Sequence, residues 1–209
     1  MTARDRILTR IRQAAEGQSP PEPQRLKPSI ARTEGAAAVD QFIAKAQAQD
    51  TTVTRLSSID DLPDALADEL RKRNLPAAIR TGSDPIFDRD WGTVERTTGP
   101  GRIQEPATLT RAELGLAETG ALALSSGPDN PVTLNFLGET HFAVIDASTI
   151  VGGFEDLWAR WRELGLNPRT LNLISGPSRS ADIGQTLQLG AHGPVALHIF
   201  IVGVSEPLP

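Results

Sequence analysis

Not one of the 209 residues is cysteine. That absence removes disulfides, thiolate metal sites, self-ligated iron–sulfur clusters and a cysteine nucleophile together. Histidine is scarce as well. His141, His192 and His198 are too scattered to make a metal-site motif, so no metal is expected on the chain. No apolar run approaches the roughly 20 residues that cross a bilayer. The segment MTARDRILTRIRQAAEG lacks the apolar core of a secretory signal, which reads as a cytoplasmic protein. A Walker loop, a GxGxxG turn and a GxSxG elbow are all missing, so nucleotide-dependent and serine-hydrolase chemistries lack their usual support.

What is present is ordinary for a globular chain: 39% apolar and 22% charged residues. The charge is uneven. Residues 1–32 hold seven basic side chains (Arg4, Arg6, Arg10, Arg12, Arg25, Lys27, Arg32) against Asp5, Glu16 and Glu22, leaving 14 basic and 23 acidic residues for the rest. A basic arm on an acidic body could bind nucleic acid, but no aromatic residues interleave with the arginines for base stacking. A solvated or partner-facing helix is the expectation, and no nucleic-acid partner.

Taken in order, residues 4–16 place Ile7, Leu8, Ile11, Ala14 and Ala15 on one helical stripe that ends at Gly17. Gln18 to Ser29, with four prolines, predicts an extended linker. A second helix is predicted over 34–49, burying Val39, Phe42, Ile43 and Ala46, and both helices read as an appendage ahead of the first strand. The predicted division is 1–33, helix and Pro-rich linker, and 34–209, an α/β domain. In the body, strands are predicted at Thr51–Leu56, Ala77–Arg80, Thr93–Thr98, Ala121–Leu124, Val132–Phe136, His141–Asp146 and Val195–Val202. The Val132 and His141 strands would form a hairpin around Gly138. Ser58 and Asp61 open a helix in the manner of a capping box, 107–120 reads as a brief helix and turn, and SSGPDNP as a plain turn. Phe154 to Leu164 is an amphipathic helix whose Trp158 and Trp161 read as core anchors. Alternation of this kind implies a three-layer α/β/α fold with a mostly parallel sheet, in which ligands sit beyond the carboxyl ends of the strands.

The densest stretch is Leu171–Pro194, LNLISGPSRSADIGQTLQLGAHGP. Gly176 and Pro177 turn the chain, Ser178 and Ser180 flank Arg179, and Asp182 reads as opening a short helix that ends at Gly190. Such a junction can hold an anion on backbone N–H groups, or Ser178 or Ser180 can simply cap the helix. Arg179 can bind a carboxylate or phosphate, or pair with Asp182 or Glu118. His192, between small residues and beside Gly193, can face a ligand or bond a loop carbonyl. Glu118-Thr119-Gly120 sets a carboxylate beside a hydroxyl at a sharp turn: a base, nucleophile or acceptor on one reading, a solvated turn on the other. His141 begins a strand, and His198 reads as a satisfied core or edge residue.

Taken together, AETGALAL at 117–124, HFAVID from His141, GPSRSADIG at 176–184 and GAHGP at 190–194 resemble the LUD-domain family, lactate-utilisation protein C type, over about residues 35–204. The resemblance implies a fold related to ribose-5-phosphate isomerases and CoA transferases, with an N-terminal helical extension. It implies a role in oxidising L-lactate to pyruvate alongside iron–sulfur partner proteins, and a ligand site formed by Thr119, Gly120, His141, Ser178, Arg179, Ser180, Asp182, His192 and Gly193, with Glu118 as the candidate catalytic residue. Gly184 departs from the family, which usually has glutamate there; Ser180, Ala121 and Ala191 replace threonine, threonine and valine. With no cofactor expected on this chain, the clusters would reside on the partners, and this subunit would bind a small carboxylate or phosphate. A stand-alone isomerase or acyl-transfer enzyme using Glu118 is the alternative. A homo-oligomer docked through the first helix is a third reading.

Overall fold

The computed structural model describes residues 2–15, 27–103, 105–183, 186–189 and 193–204, with the backbone alone for 180–183 and 186–189. Its helices are α1 (Ala3–Ala15), α2 (Gly35–Gln47), α3 (Leu62–Lys72), α4 (Val132–Phe136) and α5 (Phe154–Leu164). The strands are β1 (Thr52–Leu56), β2 (Ala78–Thr81), β3 (Glu95–Thr98), β4 (Ala107–Arg111), β5 (Leu114–Leu116), β6 (Ala121–Ser125), β7 (Thr140–Asp146), β8 (Ile150–Val151), β9 (Leu171–Ile174), β10 (Arg179–Ile183), β11 (Thr186–Leu189) and β12 (Ala196–Val202).

Six of these strands form one parallel sheet in the order β1-β12-β7-β4-β2-β3. The continuous apolar run of β12 lies inside the sheet, between β1 and β7, with both its faces covered, the pattern parallel sheets require. On one face Leu62, Leu66 and Leu70 of α3 pack against Leu109, Phe142, Val144 and Phe200. On the other, Val39, Phe42 and Ala46 of α2 meet Ala143, Ile145, Leu197 and Ile199, together with Leu122 and Leu124 from a second sheet. That second sheet, ordered β8-β5-β6-β9, carries α5 on its far side through Leu157. The three-layer α/β arrangement is therefore present, with a small sheet inserted beside α2. The capping box also forms: Ser58 Oγ accepts from the Asp60 amide at 3.2 Å and Asp61 Oδ2 from the Ser58 amide at 3.0 Å, in the turn leading into α3.

Several expectations are corrected. Residues 107–116 form strands β4 and β5, not a helix. The β-branched Thr108 and Thr110 suit a strand, and Gly115 lets the second sheet approach, since a Cβ there would lie 2.9 Å from Ile145 Cδ1. Val132–Phe136 is the short helix α4 rather than a strand, so the Gly138 hairpin does not form and β7 pairs in parallel with β4 and β12. Pro131 ahead of it suits a helix start, and a run this short carries no decisive period. Asp182 opens no helix: it lies on β10, which pairs antiparallel with β11. Helix α2 is not an appendage, because its Phe42 and Ala46 are fully buried. The segment ahead of it is anchored too, with Ala31 buried and Lys27 Nζ 2.7 Å from Asp156 of α5. By contrast α1 buries no residue, and Ile7 and Ile11 are exposed.

The tryptophans of α5 are not both core anchors: Trp158 is 39% exposed and only Leu157 is fully buried. Trp158→Ser should therefore change unfolding free energy by less than about 1 kcal/mol, while Leu157→Ala should cost about 2–5 kcal/mol in urea titration. Equal losses would contradict this packing.

Candidate functional site: a cleft at the amino ends of β7 and β12

The local order of the chain builds a cleft of about 310 Å³ where β7 and β12 begin and β9 ends. This volume falls at the small end of ligand sites. One wall is the Ser175–Arg179 turn, made possible by Gly176 at φ +78°, against whose bare Cα the Gln49 carbonyl packs. Pro194 closes it, its carbonyl accepting from the Ser178 amide at 2.8 Å. Gly193 lies against Ser178, where a Cβ would come 3.2 Å from the serine Cβ. The floor is His141, Leu197 and Asn135, the last near the end of α4.

The polar groups here have distinct states. Asn135 is 1% exposed, and among the described residues neither its Nδ2 nor its Oδ1 has a hydrogen-bond partner. A buried amide left in this state costs roughly 1–3 kcal/mol, which a bound partner would return. His141 is also buried, and Nε2 lies 2.7 Å from Thr110 Oγ1. Burial pushes its pKa down to about 4, so near neutral pH it is an uncharged donor and acceptor rather than a cation. Arg179 supplies the positive charge and pairs with Asp50. Asp50 sits in the left-handed conformation (φ +57°) that terminates α2, where Thr51 N–H reaches back to the Ala46 carbonyl at 3.2 Å. That ion pair is partly exposed, and such pairs hold only about 0–1 kcal/mol, so re-aiming Arg179 at a ligand is cheap. Among the described residues no carboxylate lines the cleft. The arrangement suits a small anion that also carries a donor or acceptor for Asn135 and His141.

Of the residues singled out in the sequence, the structure brings His141, Ser178, Arg179 and Gly193 together in this cleft. Thr119 borders it, its carbonyl accepting from Ser175 Oγ at 3.3 Å. Gly120 is committed to packing, with φ +71° and its Cα against the Lys45–Ala46 backbone of α2. Glu118 does not line the cleft: its carboxylate lies beside Gly153 at the start of α5, where the helix dipole favours a negative charge. Ser180 and Asp182 fall on β10, whose backbone alone is described there, and His192 and Gly184 lie outside the described residues. Asn135, Ser175 and Asp50 were not singled out. For Asn135 a signal existed, an amide within the apolar run VTLNFL, since a buried polar residue is the informative exception. His198 is a core residue with Nδ1 2.7 Å from Thr52 Oγ1, its ring tilted against those of Phe142 and Phe200. Burial, opposed by Glu69, pushes its pKa to about 4 as well.

Comparison with known proteins gives this geometry a family. Residues 104–202 match the LUD domain. An uncharacterized protein of Neisseria meningitidis is 40% identical over 98 residues, 46% of this chain and 42% of that protein, so the match spans well under half its length. Lactate utilization protein C of Halalkalibacterium halodurans is 30% identical over 174 residues, 73% of each chain. A DUF162 family protein from Deinococcus radiodurans, known from its crystal structure, superposes with a TM-score of 0.63 over 82% of this chain and 99% of its own, at 22% identity, which supports the fold. With the cleft's His141, Ser178, Arg179 and Gly193 all inside the matched domain, the chain belongs to the LUD-domain family, lactate utilization protein C type.

Proposed function

We propose that this chain is a component of a lactate-utilisation system and that its cleft holds a small carboxylate of lactate or pyruvate type. The relatives named lactate utilization protein C support the pathway. The observation that carries the site is the buried Asn135 amide, both of whose polar atoms lack a partner among the described residues, beside neutral His141. In this reading Arg179 turns from Asp50 to the ligand carboxylate, and Asn135 and His141 hold its hydroxyl or keto oxygen. Converting lactate to pyruvate releases two electrons and two protons. A chain without a single cysteine does not ligate its own iron–sulfur cluster through thiolates, so the electrons pass to iron–sulfur partner proteins. The subunit then binds and orients, and the redox step belongs to the assembly.

The test is replacement in the source organism. Asn135→Leu should abolish growth on L-lactate while leaving growth on pyruvate intact, with the variant present at normal abundance. Arg179→Ala removes a charge-assisted contact of about 1.5–3 kcal/mol and should weaken carboxylate binding roughly 10- to 100-fold. Normal growth of Asn135→Leu on lactate would remove the cleft from the function.

A further inference from the structure

The parallel sheet has a reversal point. The chain leaves β2 toward β3 on one side and leaves β4 toward β7 on the other, while β2 and β4 are neighbours. Reversals of this kind open a crevice beyond the carboxyl ends of the two strands, where open α/β sheets take ligands. A cavity of about 380 Å³ lies there, lined by Asp84 after β2, Arg111 and Glu113 at the end of β4, Ser125 ending β6, and Asn130. It shares no lining residue with the cleft at the amino ends.

The walls are built rather than incidental. The SSGPDNP segment, a plain turn by sequence, folds over the end of β2. Gly82 has no room for a side chain because the Asp129 carbonyl packs on it, and Ser83 Oγ donates to Asp129 Oδ1 at 2.8 Å. Glu113 accepts from both the amide (2.9 Å) and the hydroxyl of Ser125, which fixes its carboxylate. Asn130, 6% exposed, donates through Nδ2 to the Ser125 carbonyl at 3.0 Å, and its buried Oδ1 has no partner among the described residues. That lone acceptor calls for a donor.

Charge narrows the class. Arg111 is paired with Asp84 at 3.2 Å, and neither Glu113 nor Asp129 meets a cation among the described residues. Leu164 and Leu166, flanking the end of α5, form part of the lining, and a helix carboxyl end adds negative potential. Among the described residues no group of three His, Cys, Asp or Glu side chains is placed to hold a metal ion. We propose that this cavity is a second binding site, specific for a small organic cation with N–H donors, of the primary-amine class. The site stands independently of the lactate reading, because it uses other residues at the opposite end of the sheet.

Ethanolamine and putrescine are the probes, with n-propanol and acetate as controls, titrated at constant ionic strength against the full chain by thermal shift and amide NMR. Both amines should raise Tm saturably at millimolar concentration and move the 82–84, 111–113, 125–127 and 129–130 amides, while propanol and acetate do neither. Glu113→Gln should weaken amine binding at least about tenfold, one charged contact's worth. The exposed Asp129→Asn, which leaves the core untouched, should weaken it several-fold. Amines without effect, controls that stabilise equally, or amine binding unchanged in Asp129→Asn would overturn the proposal.

Discussion

Acidification from pH 7 to pH 4 is expected to strip about 6 kcal/mol from the stability of this protein, shared between two buried histidines. His141 and His198 are 1% and 2% exposed, and burial holds both folded-state pKa values near 4 against an ordinary value of 6.5. Because the folded values lie below the unfolded one, the stabilisation is complete above pH 6.5 and is lost as the pH falls toward 4. In that window the unfolded chain takes up protons that the folded chain refuses. At about 1.36 kcal/mol per pKa unit, each histidine accounts for roughly 3 kcal/mol. Against a total stability of about 5–15 kcal/mol, a loss of this size is a large fraction of what holds the fold together. The two sites differ in detail. His198 has Glu69 Oε2 at 3.5 Å, so its protonated form would gain a partner, whereas Arg73 and Lys72 on the same helix oppose that charge. Burial raises the pKa of Glu69, but its hydrogen bond from Lys72 and the neighbouring cations outweigh that and lower it overall, so it too loses stability in acid. Among the described residues His141 has no such compensation, and its ring is held by the Thr110 hydroxyl. Urea unfolding followed by the fluorescence of the buried Trp91 should therefore give a steep pH profile, and His141→Gln should flatten it by roughly 3 kcal/mol. An unchanged slope in the variant would mean that His141 is solvated or already charged.

Gly120→Ala is expected to cost about 3 kcal/mol or more, and Gly120→Val to prevent folding at growth temperature. The residue has φ +71°, and a Cβ would collide with the backbone of Lys45 and Ala46. The left-handed conformation alone costs a non-glycine residue about 1–2 kcal/mol. The collision adds more, because its target is main chain of α2, which also carries the fully buried Phe42 and cannot move freely. At about 2–4 °C per kcal/mol for a chain of this size, Gly120→Ala should lower Tm by about 6–12 °C. Two residues earlier the expectation reverses. Glu118 sits at the start of α5, where a carboxylate gains about 0.3–1 kcal/mol from the helix dipole. Glu118→Gln should cost no more than that and should leave growth on lactate unchanged. A Tm within experimental error for Gly120→Ala, or lost growth for Glu118→Gln, would place the chemistry of the turn above its geometry.

Much of this architecture was legible because the signals were long and periodic. The β12 run, the β7 strand and the α2 and α5 periodicities all marked real elements. Short runs were not. VTLNF carries too few residues to separate helix from strand, and ATLTR reads either way until the parallel sheet claims it. Ser-Arg-Ser-Ala-Asp looked like a helix entry because Ser and Asp are favoured caps, yet pairing with β11 fixed it as a strand. Tertiary contact overrode local preference there. For the cleft, His141, Ser178, Arg179 and Gly193 were visible as residues, but their convergence depends on β9, β7 and β12 ending side by side. The second cavity was invisible for the same reason. Its Arg111 and Asp84 lie 27 positions apart, and only the reversal of strand order brings them face to face.

The central claim is that the cleft at the amino ends of β7 and β12 binds a small carboxylate through Asn135. Isothermal titration of L-lactate and pyruvate into the full chain, beside Asn135→Leu of matched Tm, tests it most directly. The expected result is saturable binding of at least one of the two acids to the native chain and roughly fivefold or more weaker binding to the variant, the loss of the amide's hydrogen bond to the acid's hydroxyl or keto oxygen. Carboxylate binding of equal strength in both proteins, or none in the native chain, would contradict it.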